Sequence, residues 1–112
     1  MQMIDAKSAS TMDNPHGVKA ARLYDRPGAQ AVHLTLEPGQ ALKRHVTPVD
    51  VFFYVLQGKG TVEIGDERQE VGPDVLIDSP ARVPHCWYNE SDGLLRVLVV
   101  KAPRPTENTR LL

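Results

Sequence analysis

The chain has 112 residues, 41% of them hydrophobic, and its 13 basic and 14 acidic residues leave a formal net charge of -1. That is enough apolar material for one packed domain and too little chain for a second core of ordinary size. The balanced charge, without a Lys/Arg block, argues against a nucleic-acid or anionic-membrane surface, and no apolar run approaches the roughly 20 residues that cross a bilayer.

In chain order, residues 1–17 come first. MQMIDAKSASTMDN is polar and lacks the apolar region of a secretory leader, which predicts a loose arm on a cytoplasmic protein. His16, in the turn NPHG, is expected to be solvated. Residues 18–102 then carry the strand-like runs VKAARLY, AVHLTL, ALKRHV, VFFYVL, GTVEI, RQEV, DVLID, HCWYN and LLRVLVV, separated by Pro and Gly clusters. Many short strands between turn signals predict an all-β sandwich or barrel. Within EIGDER, Gly65 and Asp66 predict a hairpin tip with positive φ. The last stretch, residues 103–112, carries two prolines and reads as a surface tail. Cys86 is the single cysteine, so it forms no internal disulfide and reads as a small buried hydrophobe in a reducing compartment.

Two stretches have the order of a known frame. In GQALKRHVTPVDVFFYVLQG, Gly39 is followed by five residues, His45, Val46, Thr47, three residues, Val51, six residues and Gly58. In PARVPHCWYN, Pro80, Arg82, His85 and Asn89 stand at fixed spacing, with Gly72 two residues ahead of Asp74. This pattern resembles the cupin family. There the first motif runs G, five residues, H-x-H, three or four residues, E, six residues, G. The second runs G, five residues, P-x-G-x-x-H, three residues, N. The resemblance covers residues 39–89 and implies a double-stranded β-helix, or jelly-roll, barrel. It also implies a divalent metal (Fe, Mn, Ni or Zn) on three histidines and a glutamate. Mapped residue by residue, His45 and His85 remain. Thr47 and Val51 replace the other two ligands, and Arg82 and Asp74 stand where the second motif has glycines.

Strand alternation places His45 and Thr47 on one face, Val51 and Phe53 on one face, and His85 and Trp87 on one face. The expected pocket thus holds His45, Thr47, Val51, Phe53, His85 and Trp87, with Arg82 at its rim. Apolar walls with a few convergent polar groups suit a small-molecule site. Two histidines alone hold a metal poorly. A local bulge after Pro48 would turn Asp50 inward and complete a two-histidine, one-carboxylate face. His33 offers another third ligand, or else a hydrogen-bonded wall residue. Three readings follow. The first is a small-molecule binder with a degenerate metal site. The second is a metal-dependent enzyme of dioxygenase, isomerase or lyase type. The third is a structural or sensor module with a filled cavity. The outward apolar face of Phe52, Tyr54 and Leu56, with the family's habit of pairing barrels, predicts a homodimer.

Overall fold

The computed structural model describes residues 1–112 as ten strands with no α-helix. They are β1 Lys19–Arg26, β2 Ala29–Leu36, β3 Ala41–Val46, β4 Asp50–Gln57, β5 Gly60–Ile64, β6 Glu67–Val71, β7 Leu76–Ser79, β8 His85–Tyr88, β9 Leu95–Ala102 and β10 Arg110–Leu111. No helix is long and apolar enough to cross a membrane. The strands form two antiparallel five-stranded sheets, in the orders β1-β2-β9-β4-β7 and β10-β3-β8-β5-β6. This is the jelly-roll architecture the motif spacing implies. Its tenth strand, inside the tail, has no counterpart in the sequence reading. At the β5–β6 hairpin only Gly65 takes positive φ, 58°, and Asp66 does not.

Period-two alternation drives the strands together. In β4, Val51, Phe53 and Val55 are buried while Phe52, Tyr54 and Leu56 are half-buried on the other face. In β9, Leu95, Val97 and Val99 turn inward on the same principle. Burying side chains of this size contributes about 1.5–3 kcal/mol each. The inner face of the first sheet is layered across β2, β9 and β4. Leu34, Val97 and Val55 form one row, Val32, Val99 and Phe53 the next, and Gln30, Lys101 and Val51 the last. Leu36, Leu95 and the fully buried Trp87 fill the closed end.

Asn89 ties the two motifs together there. Its side-chain amide donates to the carbonyls of Leu36 and Gly93, each at 2.8 Å. Its backbone carbonyl accepts the Gly39 N–H, and its N–H donates to the Gln40 carbonyl. The frame's conformation survives its altered residues. Arg82 and Asp74, in the two glycine places of the second motif, keep φ values of 66° and 67°. Gly58 has φ 82°, and a Cβ there would strike the carbonyl of Leu94, so this position admits only glycine.

Candidate functional site

A bulge in β3 shapes the site. Leu42 pairs with Trp87 and His45 with His85, so Lys43 and Arg44 together face Cys86. The extra residue brings Leu42 and His45, three positions apart, onto the same inner face. It also releases the Lys43 backbone from the ladder, and two histidines use it. The Lys43 N–H donates to Nδ1 of His16 at 2.8 Å, and Nδ1–H of His45 donates to the Lys43 carbonyl at 2.5 Å.

The proton positions follow by elimination. A carbonyl can only accept, so the proton of neutral His45 is on Nδ1 and its Nε2 carries a lone pair. Nε2 of His85 lies 2.9 Å from that atom and is therefore the N–H donor. Nδ1 of His85 then accepts from Oγ–H of Ser79 at 2.7 Å. Oγ1 of Thr47 lies 3.2 Å from the same His85 Nε2. The result is a directed chain, Ser79 to His85 to His45 to the Lys43 carbonyl. His16 packs beside it, with ring centroids 4.9 Å from His45, and those of His45 and His85 are 4.4 Å apart.

These rings are held neutral. Burial, followed by the proximity of His45 and of Lys101, lowers the pKa of His85 to about 3. Burial and then His45 and Lys43 lower that of His16 to about 4. Burial also lowers that of His45, against the raising effect of its bond to the Lys43 carbonyl.

The histidines stand in the wall of a cavity of about 460 Å³ between the sheets. Val32, Leu34, Leu42, Phe53 and Val99 give it an apolar wall, and Thr47, Gln30, Arg22 and Lys101 add polar groups. Residues of both termini line it too, including Met12 and His16 on one side and Thr109 and Leu111 on the other. β10 holds the C-terminal segment in place by pairing Leu111 with His45.

Not every residue singled out in the sequence comes together here. His45, Thr47, Val51, Phe53 and His85 line the cavity. Trp87 lies behind Phe53, with ring centroids 5.5 Å apart and its surface wholly buried, so it is core rather than wall. Its Nε1 has no hydrogen-bond partner. Asp50 is exposed at the start of β4, where Oδ1 accepts the Ala81 N–H at 2.8 Å. β4 runs in unbroken register from Asp50 to Val55, so no bulge turns Asp50 inward. His33 is buried on the outer face of its sheet, where Nε2 accepts from Nε–H of Arg96 at 3.1 Å. Arg82, expected at the rim, is exposed and does not line the cavity; its guanidinium lies 3.8 Å from Glu107. His16 corrects the sequence reading: it is half-buried and belongs to the site.

Lys101 has no place in the sequence reading. Its signal lies in the alternation Leu95, Val97, Val99, Lys101, which points it inward. Ser79 is fully buried behind His85 and does not reach the cavity, so it positions the ring rather than acting as a nucleophile.

The donor set does not fit the metal the resemblance implies. Two imidazole nitrogens are engaged with each other, the third place is a hydroxyl and the fourth is Val51. No group of three or more His, Cys, Asp or Glu side chains is arranged to hold a metal ion. A lysine ammonium in the same cavity adds charge of the wrong sign.

The family model described as a cupin domain matches residues 32–101. The chain is a cupin. No curated protein matches this cupin in sequence. Among solved structures it is similar to TT1209 from Thermus thermophilus, at 33% identity and a TM-score of 0.81, over 94% of this chain and 100% of that one. It shares the fold of the polyketide cyclase RemF from Streptomyces resistomycificus, at 20% identity and a TM-score of 0.85, over 100% of this chain and 85% of that one. It also shares the fold of KdgF from a Halomonas species, at 20% identity and a TM-score of 0.80, over 95% and 96% of the two chains. The cupin frame here thus carries a histidine pair with the flanking ligands replaced.

Proposed function

We propose that this cupin binds a small organic molecule in its barrel cavity and holds it with neutral imidazoles rather than through a metal centre. The observation that carries the reading is the mutual hydrogen bond of His45 and His85, 2.9 Å between their Nε2 atoms, in the wall of an apolar-sided cavity. A donor and an acceptor stand side by side there. A ligand hydroxyl that parts the two rings replaces their mutual bond, accepting from His85 and donating to His45. With its pKa near 3, His85 is a weak base at neutral pH. That favours hydrogen-bond recognition over general-base catalysis, which works best with a pKa near the working pH.

The test is elemental analysis of the untagged protein together with thermal-shift screening of small metabolites. The expected result is less than one-tenth of a metal ion per chain after incubation with Mn, Fe, Ni and Zn, and stabilisation by an organic compound. About one metal ion per chain, lost in both His45→Ala and His85→Ala, would replace this reading with a metal-dependent enzyme.

A further inference from the structure

The cavity has a charge pattern that the histidine pair does not use. Lys101 follows Leu95, Val97 and Val99 on the inward face of β9, lies between Gln30 and Val51, and lines the cavity. It makes no ion pair and no side-chain hydrogen bond with any residue. Not one Asp or Glu lines the cavity, while a second cation, Arg22, does. Arg22 is engaged only at 3.7 Å with the half-exposed Asp25. A half-buried ammonium without a counter-charge is an electrostatic deficit, and burial and Arg22 hold its pKa below the usual lysine value.

The row next to Gln30, Lys101 and Val51 is Val32, Val99 and Phe53. Rows on one face of a strand are about 7 Å apart. The cation therefore lies one short step from the apolar wall. The three neutral histidines on the facing side supply no negative charge.

From this we propose that the ligand is a small organic anion, a carboxylate on a compact apolar body. Its carboxylate is held by Lys101, with Arg22 beside it, and its body lies against Val32, Val99 and Phe53. The proposal rests on the reading of the cavity as a ligand site and names the class of ligand.

The experiment titrates the full-length protein with benzoate and hexanoate, and with their neutral isosteres benzamide and hexanamide, by calorimetry at constant ionic strength. Wild type, Lys101→Met, Lys101→Arg and Val32→Phe are compared. The expected result is that an acid binds at least tenfold more tightly than its amide. Lys101→Met should remove that preference and Lys101→Arg should keep it. Lys101→Met should melt no lower than wild type, since it removes an unpaired charge, and the melt shows that lost binding is not lost folding. If acids and amides bind alike, and Val32→Phe weakens both, the anion proposal is overturned while the cavity reading stands. If the acid preference persists in Lys101→Met, the assignment to Lys101 is overturned. If none of the four compounds binds, the anion proposal is overturned, and the metabolite thermal-shift screen decides the cavity reading separately.

Discussion

The backbone N–H of Lys43 donates to Nδ1 of His16, 27 residues earlier in the chain, at 2.8 Å. The bulge that points His45 inward exposes that N–H, and a histidine from the N-terminal segment satisfies it. The segment thereby becomes part of the cavity wall. His16→Ala should lower stability by about 1 kcal/mol, the usual worth of one such bond. It should also speed amide exchange at Lys43, checked by chemical denaturation and hydrogen-exchange NMR. Unchanged exchange at Lys43 would show that the bond is not made in solution.

The proton chain makes a spectroscopic prediction. Imidazole nitrogen shifts at pH 7 should show His45 protonated on Nδ1 and His85 on Nε2, both rings neutral. Ser79→Ala leaves the His45 lone pair to hold the proton on His85 Nε2, so the tautomer should persist while the His85 Nδ1 shift moves with loss of the Ser79 hydrogen bond. A single Nδ1–H form of His85 in wild type would contradict the chain.

Acid should unfold the protein early. His85 and His16 have folded pKa values of about 3 and about 4, below the ordinary 6.5. Between those values and 6.5 the unfolded chain binds more protons, so stability rises with pH and is lost as pH falls through this window. The fully buried His85 alone contributes a slope of at most about 1.4 kcal/mol per pH unit. Melting temperature should therefore fall steadily from pH 6.5 to 4, and less steeply in His85→Gln. A flat profile in wild type would show that the rings are not held neutral.

Arg82 keeps a glycine's backbone angle without being glycine. Left-handed φ costs an L-residue about 1–2 kcal/mol, partly offset by the greater freedom of glycine in the unfolded chain. Arg82→Gly should therefore raise stability by about 0.5–1 kcal/mol, since the ion pair it removes is solvent-exposed. Gly58→Ala should lower it by about 2 kcal/mol or more, because strain and the contact with Leu94 act together. Equilibrium urea unfolding of the two variants checks both signs.

The outer face of the first sheet carries a row of Leu98, Tyr54 and Leu76, and Leu76 is 55% exposed on the edge strand β7. An open edge with apolar side chains invites a second copy of the chain. Light scattering should find a homodimer, and Leu76→Glu should shift it toward monomer. A monomeric wild type at micromolar concentration would rule this face out as a stable interface.

The strands and the family frame were legible in the sequence because both are local. Alternation buries Val51, Phe53 and Val55 whatever lies opposite, and the motif spacing reflects turns whose φ values persist at Asp74 and Arg82. The same alternation already pointed Lys101 inward. Which polar groups meet was decided only by the tertiary structure. Asp50 could be imagined inward until β4 was seen to keep register with β9, and His33 could be imagined across the barrel until its partner proved to be Arg96. His16 joins the site through a bulge in a distant strand, and no spacing encodes that contact. Local patterns set which face a side chain takes. The partner it finds depends on register, bulges and chain ends, which exist only once the two sheets have closed.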